Sequence, residues 1–298
     1  MLTISDVIRV NREEQGISQE ELSYGICSVS NLSRIENGVQ IPSRATYEAL
    51  MQRMGLSPEI YPSFKNDHEL EAFRLKHAIS EKFTAGQYKE TMVLLEKLNQ
   101  IPKLDKVYGQ FILYVKALLL REEGGTPEEL LESLKTVVKL SIKEFNPKKI
   151  LRLVLTKDEL SMLNNLAIAY YETGNEEEGI NILYKVKEYI EKKIVDDEGI
   201  SSTYTKILYN LSKWVGLKGE NEEAIKLCDI GIANCLAYGR YRSFGNLLFN
   251  KGYALIMLNR KEEVAKYIQE AFYIARAENK TVHCEITKSV AEENGLHL

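Results

Sequence analysis

Lysine is missing from the first sixty residues. That stretch sets five arginines against eight acids, a net charge of −3, so it offers no polycationic face for indiscriminate nucleic-acid binding. Over all 298 residues the net charge is −4, and no bulk attraction to anionic partners is built into the chain. The four histidines (His68, His77, His283, His297) show no H-E-x-x-H spacing. The four cysteines (Cys27, Cys228, Cys235, Cys284) show no C-x-x-C pairing, so neither a zinc site nor a disulfide framework is suggested. Glycine-rich phosphate loops of the G-x-x-x-x-G-K-[ST] or G-x-G-x-x-G type are absent. No metal, no cofactor and no enzymatic role are therefore expected. Long apolar runs are lacking too. The most apolar segment, Phe111 to Leu120, is ten residues long and holds Lys116, while Asp6, Arg9, Arg12, Glu13 and Glu14 interrupt the stretch where a signal peptide needs apolar residues. The expectation is a cytoplasmic protein without a membrane partner.

What is present near the start is a run of helix signals. Ser18 and Glu21 form an S-x-x-E capping box that begins a helix at Gln19, and Gly25 ends it. A second helix is expected from about Ser28 to Glu36, with Leu32 and Ile35 facing inward and Asn37-Gly38 as its stop. Ser28, Val29, Ser30, Asn31 and Arg34 are left on the outside. Upstream, Ile4 to Gln15 carries Val7, Ile8 and Arg12 at helical spacing; downstream, Ser43 caps a helix bearing Tyr47, Leu50, Met51 and Met54 before Gly55. The result is a compact bundle with a helix-turn-helix.

On Ile8-Arg9, Arg12, the run Gly16 to Leu22, the run Ser33 to Gly38 and Ile41-Pro42-Ser43, residues 1–60 resemble the lambda-repressor-like, or Xre-type, DNA-binding domain. The resemblance implies double-stranded DNA as a partner. It implies that Gln19 meets a phosphate, that Ser28, Val29, Ser30, Asn31 and Arg34 form the base-reading surface, and that Arg12 and Glu36 make a buried ion pair. The first two roles fit the docking geometry in which a recognition helix enters the major groove by its N-terminal end. The acidic balance implies weak affinity for one such domain, offset when two act together as a homodimer on a palindromic operator. The competing reading is a helix-turn-helix used only for protein contacts.

Residues 61–67 form the expected linker, with Pro62 breaking helix and Asp67 available as a cap. Beyond it, short turns recur at Gly86, Gly125, Gly174, Gly219 and Asn259, about 38 to 50 residues apart, each between amphipathic helices. Leu166-Ala167, Tyr170, Gly174 and Gly179, then Leu211-Ser212, Gly219 and Ala224, resemble tetratricopeptide repeats, at a longer period than the usual ~34 residues. The fold class expected is all-α: a helix-turn-helix bundle, then a tetratricopeptide-like right-handed α-solenoid of about five helix pairs over 68–280. A capping helix is expected within 281–298.

Counting nine residues back from each turn residue gives His77, Lys116, Asn165, Asn210 and Asn250, a register expected to face the concave side. A primary amide carries donor and acceptor side by side and so holds both polar groups of an extended peptide. Tyr171, Tyr209, Phe249 and Tyr253 lie nearby as pocket walls for apolar side chains, and Lys116 suits a carboxylate terminus. The alternative is that the amides stitch neighbouring repeats together. Taken whole, the chain resembles the peptide-responsive regulators of Gram-positive bacteria related to PlcR. That resemblance implies a short linear signalling peptide, gripped by Asn165, Asn210 and Asn250, that modulates DNA binding, with the repeats also forming the homodimer. A peptide-independent phage or mobile-element repressor whose repeats bind another protein is the alternative function.

Overall fold

A computed structural model describes residues 4–56, 67–193, 198–239 and 241–298. Its first four helices are α1 (Ile4–Glu14), α2 (Gln19–Ser23), α3 (Val29–Glu36) and α4 (Arg44–Arg53). Local chemistry starts each of the last three. Ser18 and Glu21 close their capping box around α2, Ser28 accepts the Asn31 N–H at the start of α3, and Ser43 accepts the Thr46 N–H at the start of α4. Ile8, Leu22, Leu32, Ile35, Tyr47 and Leu50 are fully enclosed between them. Each such side chain contributes about 1.5 to 3 kcal/mol relative to exposure, which is how four short helices with little independent stability hold together.

Helix pairs follow: α5 (Asp67–Thr84) with α6 (Tyr88–Gln100), α7 (Lys106–Glu122) with α8 (Pro127–Lys139), α9 (Lys157–Glu172) with α10 (Glu176–Lys193), α11 (Glu198–Leu217) with α12 (Asn221–Tyr238), and α13 (Phe244–Met257) with α14 (Lys261–Ala277). Helix α15 (Thr281–Glu293) packs on α14 as the closing element. The pairs are tetratricopeptide-like, and among the described residues there is no strand. The longest spacing between turns has a local cause: residues 140–156 hold a short 3-10 helix, Pro147–Arg152, which buries Ile150 before a Thr156–Glu159 capping box starts α9. The segment 61–66, with Pro62, and the side chain of Asp67 lie outside the described residues.

The turns correct the register read from the sequence at one place. The left-handed residue closing each first helix is Gly86, Gly124, Gly174, Gly219 and Asn259. In the second pair it is thus Gly124 and not Gly125. The position nine residues back is Val115, which is buried, while Lys116 beside it points outward and shares no register with the asparagines.

The chain forms two compact units, Met1–Gly179 and Ile180–Leu298. The N-terminal bundle is not a body of its own: it belongs to the first unit together with the repeats up to residue 179.

Candidate functional sites

The outer face of α3 is open. Ser28, Val29, Ser30 and Arg34 are exposed and Asn31 is half-buried, while Leu32 and Ile35 behind them are fully covered. The helix is oriented by an ion pair. Arg12 donates Nε to Glu36 Oε1 at 2.6 Å and Nη2 to Oε2 at 2.9 Å, a two-pronged contact around a carboxylate with 2% side-chain exposure. The hydrogen bond to Glu36 raises the Arg12 guanidinium above its ordinary pKa. Gln19 also gives its amide N–H to Glu36 Oε2, at 2.7 Å. One carboxylate thus ties α1, α2 and α3 together, and one N–H of the amide that the resemblance assigned to phosphate is engaged inside the protein.

The opposite side of the bundle docks on the repeats of its own unit. Arg53, at the end of α4, is buried; its guanidinium donates to the carbonyls of Leu22, at 3.2 Å, and Tyr24, and pairs with the equally buried Glu159 of α9. Glu159 uses its second oxygen to accept the Thr156 N–H at 2.7 Å. Gly25 is the other fixed point. Its backbone is left-handed, φ +73°, and a Cβ there would lie 2.5 Å from Cα of Ser141, so the turn of the helix-turn-helix touches the backbone after α8 because no side chain intervenes. Ser43 bonded to Asp105 completes the seam, and within the repeats Lys76 of α5 bonds to Asp158 of α9 at 2.9 Å. His77, read from sequence as a groove residue, packs its ring at a tilt against Phe73 and lines a cavity of about 250 Å³ beside Arg53, Glu159 and Gly25.

The asparagines are partly committed. Asn165 donates its amide to the Tyr114 hydroxyl on α7 and to the Ser161 carbonyl one turn back. Burial pushes the Tyr114 hydroxyl upward in pKa, so it stays a neutral partner. Tyr171, expected near Asn165, faces elsewhere: its Cβ stands against Gly179 at the start of α10. Six residues turn the helix by about 240°, which separates the two side chains.

In the second unit Asn250 donates to the Tyr209 carbonyl at 3.2 Å and to Ser212 Oγ at 2.9 Å, stitching α13 to α11. The carbonyl oxygen of its side chain is left to accept. Tyr209, Asn246, Phe249 and Asn250 line a cavity of about 230 Å³ closed by Lys213, Lys280 and His283. Tyr253 stacks on Phe249 with ring centroids 6.3 Å apart. Asn210 is half-buried and follows Tyr209 without itself lining the cavity. Sequence reasoning passed over Asn246, Lys213 and Lys280. A signal existed: Asn246 is one turn before Asn250, and Lys213 follows Asn210 by three.

Cys228 and Cys235 pack with Leu247, and burial pushes the Cys228 thiol up to about 12. Both are free thiols acting as small apolar groups. No described helix is long and apolar enough to cross a membrane.

A helix-turn-helix with an open recognition helix, followed by tetratricopeptide-like pairs, defines a DNA-binding regulator and not an enzyme. A helix-turn-helix family model matches residues 8–61, and the model described as the RNPP family C-terminal domain matches residues 103–292. The chain belongs to the RNPP family. Its fold is similar to that of PlcR from Bacillus thuringiensis, solved in complex with the peptide PapR7 and DNA, at 18% identity and a TM-score of 0.64, covering 96% of this chain and 99% of that one. It is also similar to ComR from S. thermophilus in complex with DNA and its signalling peptide ComS (17% identity, TM-score 0.54, 99% and 100% covered). ComR from Streptococcus vestibularis with its signalling peptide XIP gives 19% identity and a TM-score of 0.53, with 99% of each chain covered. At these identities the likeness is one of fold. No curated protein matches the sequence.

Proposed function

We propose that the protein is a sequence-specific DNA-binding transcriptional regulator whose repeats bind a short signalling peptide, and that the peptide changes how it binds DNA. The observation carrying the DNA half is the open face of α3, held by the Arg12–Glu36–Gln19 node with Ser28, Val29, Ser30 and Arg34 exposed. The peptide half rests on the family, on the peptides bound by the fold relatives, and on the cavity of Tyr209, Asn246, Phe249 and Asn250. In this reading Ser28, Val29, Ser30, Asn31 and Arg34 meet the DNA, and Gln19 approaches phosphate only through what Glu36 leaves of its amide. The peptide is held by the side-chain carbonyl of Asn250, by Asn246 and by the aromatic pair Phe249 and Tyr253, with Asn210 and Asn165 contributing further along the repeats.

The working form is a homodimer in the cytoplasm. Two recognition helices about one helical turn of DNA apart, roughly 34 Å, read a palindromic operator. That spacing also offsets the weak pull of a domain whose net charge is −3. A peptide that prefers one arrangement of the chain shifts the population toward it. Within the first unit the helix-turn-helix is tied to α9 by Arg53 and Glu159, so movement of α9 is passed to the bundle that carries the reading helix. The test is fluorescence-anisotropy titration of DNA fragments from the gene's own upstream region, with and without synthetic peptides from any adjacent small reading frame. A specific complex altered by one peptide supports the proposal. Specific binding indifferent to every peptide leads instead to the peptide-independent repressor.

A further inference from the structure

The second unit concentrates positive charge in one place on a chain that is net negative. On α11, Lys206, Tyr209 and Lys213 fall three and four residues apart and so share a face. On α13, Asn246, Phe249 and Asn250 do the same, and Lys280 and His283 come from the start of α15. Tyr209, Lys213, Asn246, Phe249, Asn250, Lys280 and His283 converge on the 230 Å³ cavity, where Glu278 is the one acid, already paired with Lys280 at 2.7 Å. Among the described residues, neither Lys206 nor Lys213 has a carboxylate within ion-pair distance.

Lys206 is exposed to solvent yet its ammonium is disfavoured, first by desolvation among the surrounding walls and then by the charge of Arg242. An anion binding nearby offsets the repulsion between the Lys206 and Arg242 charges. The remaining walls, Phe249 and Ile286, are apolar, and Asn246, Asn250 and Thr287 supply amide and hydroxyl groups. This mixture fits the end or side chain of a peptide better than a fully hydrated inorganic ion.

We propose that this cavity, between α11, α13 and α15, is a carboxylate-reading subsite, in which Lys213 and Lys280 bind one carboxylate of the signalling peptide while Lys206 and Arg242 add positive potential at its edge. The proposal rests on the peptide-binding reading above. It fixes the chemistry of the ligand: the peptide presents an acid here, either its C-terminal carboxylate or an Asp or Glu side chain. Lysine acts in this role as a movable point charge, so it reads the charge and not the planar shape of the acid.

The experiment is a fluorescence-polarisation competition on the full-length protein with a positional-scanning heptapeptide library. Each member is made with a free or amidated C-terminus and with Asp and Glu paired against Asn and Gln. Binders are expected to lose about tenfold in affinity when one particular carboxylate is neutralised, as for a lost charge-assisted hydrogen bond. Loss on amidation identifies the terminus; loss on an Asp→Asn or Glu→Gln exchange identifies a side chain. The double variant Lys213→Gln/Lys280→Gln should bring that preference close to one, and Lys213→Arg/Lys280→Arg should restore it. Binding with no carboxylate preference, or a preference that survives the glutamine variant, overturns the subsite and leaves peptide binding standing. Failure of every heptapeptide to bind overturns both.

Discussion

Replacing Glu159 by glutamine removes one charge from a pair in which Arg53 and Glu159 are 3% and 2% exposed, and it does so without changing shape. In the native protein one oxygen of Glu159 accepts from Arg53 and the other accepts the Thr156 N–H that starts α9. Glutamine has one acceptor oxygen for those two donors. Arg53 is left as an uncompensated buried cation whose other contacts are neutral carbonyls of α2 and its cap. Breaking a buried pair from one side costs about 3 to 5 kcal/mol. Glu159→Ala also leaves the Thr156 N–H without its acceptor and should reach or exceed the upper end of that range, since an unsatisfied buried N–H costs about 1 to 3 kcal/mol. The double variant Arg53→Met/Glu159→Leu has no buried charge to compensate. Its remaining cost is that of the Leu22 and Tyr24 carbonyls and the Thr156 N–H, which lose their partners, about 1 to 3 kcal/mol for each. It should therefore be more stable than Glu159→Leu alone, which orphans the same Thr156 N–H and also leaves the Arg53 charge buried without its partner. The assay is equilibrium urea unfolding, with hydrogen exchange over residues 19–25 and 157–164 to place the loss at the seam. Single variants that cost less than about 1 kcal/mol, or that add to within about 0.5 kcal/mol in the double, would refute the argument.

Four other outcomes are expected. Gly25→Ala puts a Cβ on a left-handed backbone and 2.5 Å from Cα of Ser141, so it should destabilise by about 2 to 4 kcal/mol; a thermal melt unchanged within a degree would show that the seam yields freely. Arg34→Ala should weaken operator binding by about 1 to 3 kcal/mol, measured by anisotropy, whereas equal affinity would remove Arg34 from the reading surface. Thiolate is the form that alkylates, and a thiol pushed up to about 12 holds almost none at pH 8. Iodoacetamide with mass spectrometry should thus label the half-exposed Cys284 long before Cys228, and the reverse order would contradict the packing. Asn250→Ala should cost about 0.5 to 1.5 kcal/mol of stability, because it cuts the bonds from α13 to Tyr209 and Ser212, and should weaken peptide binding as well; full peptide affinity in a stable variant would exclude this amide as a contact.

What the sequence determined by itself is everything governed by near neighbours along the chain. Capping needs a side chain two or three residues from an orphan N–H, so Ser18 with Glu21, and Ser43, were legible as helix starts. Turns need a residue that tolerates positive φ, so the positions of the helix pairs could be read within one or two residues, the shift from Gly125 to Gly124 being the cost of adjacent glycines. Inward residues such as Leu32 and Ile35 followed from helical spacing. The Arg12–Glu36 contact came from a family resemblance, because nothing local links residues 24 apart. What only the tertiary structure decided is where long polar side chains spend their hydrogen bonds. Gln19 turns to Glu36, Asn165 to Tyr114 and Asn250 to Ser212, since a half-buried amide takes the nearest partner that packing brings within 3 Å. The same holds for Arg53. At the end of a helix it reads as a solvated charge complementing the helix dipole, and packing against a carboxylate 106 residues away makes it the buried joint between the DNA-reading bundle and its repeats.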